Sequence, residues 1–346
     1  MNVQKPLDIL IFGTGAVGST LGWRLAQNPH TRLSVVCRSN YEAVRQQPIQ
    51  MRTSMWGNGA FKPFRVVRST RELPSIPFDY IVCTNKVIAS DRLSLADELA
   101  HVVSAKTALV SAQNGVGVEA PLRRLFPSNT ILSAVCYISC LQPISGVVQQ
   151  VSSIRPHAFH VGTYQTTERG PSVTDQQRLK EFVAMDEKFK EIDDVCAERW
   201  TKQIFNGAWN PMTAISGLET HQLLASPHIR MVQELAEETF NVALKMGVRL
   251  PKNLPDMAIE LARANPSLAP SMLQDVRNRK PVEVDSLCGN VIRDAEKVNI
   301  PVPTVRTVYH TLLEMNKQIR DSTVSRRTEN ESKLRVQPDI HRLLVA

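Results

Sequence analysis

Apolar residues come in short unbroken runs over the first half of the chain and in helical stripes over the second. Ile9-Leu10-Ile11-Phe12, Leu33–Cys37, Phe78–Thr84, Thr107–Ser111 and Ile131–Val135 carry almost no charge. Such runs read as strands buried on both faces of a parallel sheet. Helical stretches separate them, and that alternation predicts a doubly wound α/β domain. Gln149–Arg155 and Phe159–Gly162 read as an antiparallel pair closing the sheet. Met51–Arg68 is polar-aromatic and irregular, with short strands expected around a Gly57-Asn58-Gly59 turn. Few strands can be read after Gly162. Trp200 to Ile215 reads as a helix interrupted by Pro211. Ile229, Val232, Ala236, Phe240 and Ala243 form one apolar stripe, and Val305, Val308, Leu312 and Met315 form another. The expected organisation is a sheet domain over 1–194, a mainly helical domain over 195–320, and a charged, loose tail over 321–346.

The first run ends in Gly13-Thr14-Gly15-Ala16-Val17-Gly18, which fits G-x-G-x-x-G. Gly13 permits the tight turn, Gly15 lets the backbone approach a pyrophosphate, and Gly18 lets the following helix pack on the strand. A helix from Ala16 to Ala26 would present its N-terminal N–H groups to the phosphates. A glycine-rich turn without a ligand is the plainer alternative. The strand before the motif and the helix after it favour a dinucleotide. An NAD site usually carries an acid after the second strand; this chain has Arg38 there. An arginine can grip a 2′-phosphate that an acid would repel, so the pattern favours NADP(H). Lys86, after the third buried strand, and Gln113-Asn114-Gly115, after the fourth, fall at the carboxyl edge, where ligands bind in open α/β sheets.

The bulk properties narrow the picture further. The 346 residues suffice for two domains, and no apolar stretch approaches a membrane span. With the first strand starting by Leu7, a leader peptide has no room, and the expected location is cytoplasmic. The six cysteines are scattered, which suits reduced core thiols; Cys136 and Cys140 lack partners at zinc spacing, and no metal is expected. A net charge of +8 suits a phosphorylated cofactor and an acidic substrate. No aromatic-interleaved basic patch points to nucleic acid.

Lys202, Asn206 and Asn210 recur at steps of four, which puts them on one helix face. They read either as a solvated polar face or as a donor array for a carbonyl and a carboxylate. Ser271-Met272-Leu273-Gln274 reads as a capping box, with Ser271 as N-cap. The same position could dock a carboxylate. Glu283 and Asp285 read as first-turn acids answering a helix dipole.

Taken together and in order, these motifs resemble the ketopantoate reductase family. Gly13–Gly18, Gln113-Asn114-Gly115, Lys202-x3-Asn206-x3-Asn210-Pro211-x-Thr213-Ala214, and Ser271–Asp275 with Glu283-Val284-Asp285 carry the resemblance, over Leu7 to Arg320. It implies a Rossmann domain plus a helical domain, with the active site in the cleft between them. It implies Lys202 as catalytic lysine and Glu283 as essential glutamate. Asn114 would lie between nicotinamide and substrate; Asn206, Asn210 and Ser271 would bind substrate. Arg38 and Lys86 would hold the 2′-phosphate of NADPH. The implied activity is NADPH-dependent reduction of 2-dehydropantoate to pantoate, toward pantothenate, by a monomer or homodimer. Three positions depart from the family pattern, with Leu268, Thr220 and Cys288 standing where the family has asparagine. A reductase or dehydrogenase of another 2-oxo or 2-hydroxy acid therefore remains open, as does a non-catalytic NADP(H) sensor.

Overall fold

The structure is a computed structural model that describes residues 5–74, 76–88, 95–166 and 170–335, with Ala96 and 323–335 by backbone alone. Two compact units divide the chain. One runs through Gln203 and adds Gly247–Leu250; the other comprises Ile204–Met246 and the chain from Pro251 onward. The division lies inside a helix, nine residues beyond the expected boundary at 194.

The first unit opens with β1 (Leu7–Phe12), α1 (Ala16–Leu25), β2 (Thr31–Val36), α2 (Tyr41–Gln46), β3 (Ile49–Thr53), β4 (Gly57–Phe61) and β5 (Arg65–Val67). It continues with β6 (Tyr80–Cys83), α3 (Leu95–Leu99), β7 (Ala108–Ser111), α4 (Ala120–Leu125), β8 (Ile131–Cys136), β9 (Ile138–Ile144) and β10 (Val147–Ser153). Then come β11 (Phe159–Thr163), α5 (Val173–Val183) and β12 (Phe189–Glu191). α6 (Val195–Ser216) begins in this unit and carries the chain into the second.

Eight strands form the main sheet in the order β12-β11-β8-β7-β6-β1-β2-β5. The six from β8 to β5 are parallel, and β11 joins antiparallel to β8. The unbroken apolar run of β1 has a simple cause. Ile9 and Ile11 face a core with Leu21 and Leu25 of α1, while Leu10 and Phe12 face a second core with Leu99 and Leu122. Both faces are covered, so alternation with polar residues is forbidden.

The expected pairing of 149–155 with 159–162 does not occur. β10 pairs antiparallel with β9 and parallel with β3, in a separate four-stranded sheet of order β4-β3-β10-β9. β9 carries Pro143, which removes a ladder donor and disguises the segment. The proline is tolerated because β9 is an edge strand. The stretch expected to be irregular contains the β3–β4 hairpin, with Gly57 at φ 79° in its turn.

The second unit contains α7 (Thr220–Leu224), α8 (Ile229–Lys245), α9 (Leu254–Ala264), α10 (Ser271–Arg277), a π turn (Asp285–Gly289), α11 (Asn290–Lys297) and α12 (Pro303–Arg335). Val232, Ala236 and Ala243 of α8 and Val305, Val308 and Leu312 of α12 are buried, as their stripes require. Two expectations need correction. α6 continues through Pro211 rather than breaking there. The tail is not loose over 321–335: α12 runs on to Arg335, and no glycine or proline in that stretch stops it. Residues 336–346 lie outside the described residues.

One substitution tests the strand–helix packing. A Cβ on Gly18 would run into the Gly13 carbonyl oxygen and Thr84 Oγ1. Gly18→Ala should therefore destabilise the first unit by about 1–3 kcal/mol, the usual cost of overpacking. Urea unfolding measures it; an unchanged midpoint would mean that α1 does not approach β1 this closely.

Candidate active site

The glycine-rich turn is built for close approach. Gly13 sits at φ 102°, and a Cβ there would lie 2.5 Å from the Asn85 nitrogen. Thr14 is buried and spans to β2, its hydroxyl donating to the Val36 carbonyl at 3.0 Å. The Asn40 carboxamide donates back to the Thr14 carbonyl at 2.6 Å. The turn is thus tied to the end of β2. Gly15 is different: a Cβ there would meet no protein atom within 4 Å. Packing does not require that glycine, so the open space beside it is what a pyrophosphate would use. Ala16, Val17 and Gly18 open α1, whose first turn carries no acid and whose N-cap makes no side-chain bond. That amide end suits an anion, and the residues present fit a nicotinamide dinucleotide. Arg38 follows β2 and Lys86 follows β6 at the carboxyl edge of the sheet, and both are exposed.

Asn114 and Lys202 come together. Lys202 Nζ donates to Asn114 Oδ1 at 2.7 Å. The turn bearing Asn114 bends at Gly115, with φ 101°. Its shape is set by Arg199, one helical turn before Lys202 on α6. The Arg199 guanidinium donates through Nη1 to the carbonyls of Gln113 at 2.8 Å and Gly115 at 3.0 Å, and through Nη2 to Ser111 at 3.2 Å. Its Nε lies 2.6 Å from Glu119 Oε1 and 2.9 Å from Ser133 Oγ. The side chains of this pair are only 7% and 1% exposed, so the charges are matched inside the protein. Ser133 donates to the same Glu119 oxygen at 2.6 Å. Gln113 ties the turn to the neighbouring strand end by donating to the Asn85 carbonyl at 2.9 Å.

A second cluster adjoins Lys202. Its ammonium lies 5.9 Å from the centroid of the Tyr137 ring, within cation–π range. Tyr137 donates to Glu198 Oε1 at 2.6 Å, and His160 Nδ1 lies 2.5 Å from the same oxygen. Burial pushes the Glu198 carboxyl up, but the bonds from His160 and Tyr137 and the nearby charge outweigh it and hold it below the usual carboxylate range. Burial and the bond to Glu198 push the Tyr137 phenol up, so it stays a donor.

In the second unit, Asn210 is buried and caps α10. Its Oδ1 accepts from Ser271 Oγ at 3.0 Å and from the Met272 amide at 3.1 Å. Ser271 is therefore not the N-cap; Pro270 holds that place, and Gln274 donates to the Ala269 carbonyl at 2.7 Å. A proline with extended backbone fits ahead of the helix and frees the serine hydroxyl for Asn210. Asn206 is half-buried on α6. Glu283 is buried, and the residue before it is fixed by Asn316, which accepts from the Val282 amide at 2.8 Å and donates to its carbonyl at 2.9 Å. Asp285 does not act as a helix-end acid alone: it opens the π turn and accepts from Tyr309 at 3.2 Å.

Reading the sequence did not single out Arg199, Glu119, Ser133, Tyr137, Glu198, His160 or Asn316. Arg199 and Glu198 had one available signal, since both fall within the same α6 segment as Lys202. Tyr137 and Ser133 had none, because strand pairing alone brings them near it.

Residues 9–165 match the family model described as Ketopantoate reductase PanE/ApbA, and residues 194–316 match that of its C-terminal domain. A 2-dehydropantoate 2-reductase of Mesorhizobium japonicum is 27% identical over 325 residues, covering 87% of this chain and 95% of that protein. The crystal structure of 2-dehydropantoate 2-reductase from Methylococcus capsulatus superposes with a TM-score of 0.77 at 27% identity, covering 90% of this chain and 98% of that one. A D-mandelate dehydrogenase, solved with NADH and anilino(oxo)acetate, shares the fold with a TM-score of 0.75 at 18% identity, covering 91% of this chain and 99% of that one. No described helix is long and apolar enough to cross a membrane.

The buried pair makes a sharp stability prediction. Arg199→Ala strands the Glu119 carboxylate and should cost about 3–5 kcal/mol. The double variant Arg199→Met with Glu119→Leu should recover the part owed to the stranded carboxylate but not the rest, because the carbonyls of Ser111, Gln113 and Gly115 lose their donor. Urea unfolding of the three proteins decides it; a single variant as stable as the parent would show that the pair carries no burden.

Proposed function

The chain belongs to the ketopantoate reductase family, and we propose that it reduces 2-dehydropantoate to pantoate with NADPH, a step toward pantothenate. The observation that carries this reading is the Lys202–Asn114 contact of 2.7 Å at the carboxyl edge of the sheet. It presents an ammonium beside the turn where family members place nicotinamide and substrate. The family points to an oxidoreductase acting on a CH–OH group. The choice of NADPH rests on Arg38 and Lys86 at the strand ends, and on the absence of an acid at the end of β2, where Cys37-Arg38 stands.

When bound, the cofactor supplies hydride to the carbonyl carbon. The chain's own residues then have defined tasks. Lys202 stabilises negative charge on the carbonyl oxygen and gives it a proton from Nζ. Asn114 holds Nζ in place before substrate arrives, so little reorganisation remains. Arg199 and Glu119 keep the Asn114 turn in shape. Asn206, Asn210, Ser271 and Glu283 are assigned to the substrate's carboxylate and hydroxyl by their match to the family motif. Ser271 and Asn210 are already linked, which supports a shared role. A second reading, another 2-oxo or 2-hydroxy acid, has its own support. Thr220 and Leu268, where the family has asparagines, are bonded to each other: Thr220 N donates to the Leu268 carbonyl, and Leu268 N to Thr220 Oγ1, both at 3.1 Å.

A panel of 2-oxo acids followed by NADPH absorbance tests the function. Turnover of 2-dehydropantoate is expected, with analogues lacking its hydroxyl rejected less strongly than a full set of polar contacts would allow, each lost bond being worth about 1–3 kcal/mol. Turnover of other 2-oxo acids alone would move the assignment to the second reading, and no turnover of any would leave a sensor. Lys202→Ala should cut kcat by roughly 10²–10⁴-fold while NADPH affinity holds. A rise in KM at unchanged kcat would make Lys202 a binding residue only.

A further inference from the structure

The sheet edge that carries Arg38 carries a second exposed arginine. β2 and β5 are parallel neighbours, with Val36 opposite Val67. The ladder runs one step further, the Cys37 amide donating to the Val67 carbonyl at 3.0 Å. Cys37 therefore stands beside Arg68, and Arg38 is the next residue. The Arg68 guanidinium lies over the Tyr41 ring, 4.1 Å from its centroid, within cation–π range. Its other partner is Glu42, through an ion pair whose two side chains are 54% and 60% exposed. An ion pair that open to water is a weak one, so Arg68 gives up Glu42 at little cost.

We propose that Arg68 is the second arginine of the 2′-phosphate site, exchanging Glu42 for the phosphate of NADP(H). This inference rests on the NADPH reading above. A phosphate monoester carries more charge than the carboxylate and offers three acceptor oxygens to a planar guanidinium. Arg38 and Arg68, on adjacent strand ends, approach such a group from two sides. Tyr41 supplies the preorganisation, since a guanidinium already lying over the ring loses less freedom when the phosphate arrives. Glu42 then has a defined effect of its own. It competes for Arg68 and repels the incoming phosphate, and so restrains affinity for the phosphorylated cofactor.

The test reads binding, with no need for turnover. Adenosine 2′,5′-bisphosphate and 5′-AMP are titrated calorimetrically into the full chain and into Arg68→Ala, Arg38→Ala and Glu42→Gln. The parent should favour the bisphosphate. Arg68→Ala should weaken the bisphosphate by about tenfold and leave 5′-AMP unchanged. Glu42→Gln should tighten the bisphosphate alone. All three positions are exposed, and an unchanged melting temperature confirms the fold. If Arg38→Ala removes the preference while Arg68→Ala retains it in full, the proposal is overturned and the NADPH reading stands. If the parent shows no preference, the NADPH reading fails and the proposal with it.

Discussion

Within the first unit, the arrangement of the candidate site depends on one buried cation. Arg199 sits on α6, three residues before Lys202, and its guanidinium points at three main-chain carbonyls at and just beyond the end of β7. Those carbonyls converge because the chain turns sharply at Gly115, and convergent dipoles of one sign repel unless a cation joins them. Placing that cation inside the protein is costly by itself. Glu119 neutralises it, and Ser133 satisfies the same carboxylate oxygen. The result is a rigid joint: the turn presenting Asn114 and the helix presenting Lys202 are fastened by a single side chain. A lysine at position 199 would offer charge without the planar fork, and could not hold the three carbonyls and Glu119 at once.

The same logic separates the charges of the site into two kinds. Glu119 and Glu198 are acids close in sequence or space to Lys202, yet each has partners of its own: Arg199 and Ser133 for the first, Tyr137 and His160 for the second. Arg38 and Lys86 are exposed beyond the carboxyl ends of the parallel strands β2 and β6. Matched charges inside give shape; on the proposed reading, exposed charges at the edge would give attraction to phosphate.

The fold was legible wherever burial dictates composition. β1, β2, β6, β7 and β8 lie in a sheet covered on both faces, so their apolar runs admit no other reading. The helical stripes of α8 and α12 were legible for the same reason. The edge hid the rest. β9 tolerates Pro143 because one side of its ladder is free, and a segment with proline and polar residues carries no strand signal. α6 was misread at Pro211 and α12 beyond Arg320, because local propensity is overridden in the first and a charged stretch without helix breakers was read as loose in the second. Spacing alone left the residues of the candidate site undecided, and only order along the whole chain favoured one reading. Arg199, Tyr137 and His160 stayed silent because their meaning lies in partners far away in sequence.

The departures from the family pattern gain meaning from their positions. Thr220 and Leu268 are 48 residues apart yet exchange two hydrogen bonds, so two replaced asparagines belong to one place in the second unit. The Thr220 hydroxyl is engaged by the Leu268 amide, which leaves it less to offer a ligand. Cys288, the third departure, is buried in the π turn, where desolvation pushes its thiol up to about 12. A neutral thiol is a weak donor and no substitute for a carboxamide. A pocket that hydrogen-bonds a hydroxyl rejects molecules lacking it strongly, whereas an apolar wall discriminates weakly between shapes. On the proposed reading, Lys202 with Asn114, which would carry the reaction, and Asn206, Asn210, Ser271 and Glu283 on the substrate side are kept, while the polar contacts at positions 220, 268 and 288 are lost. Breadth of substrate with unaltered chemistry is the combination that this distribution of residues favours.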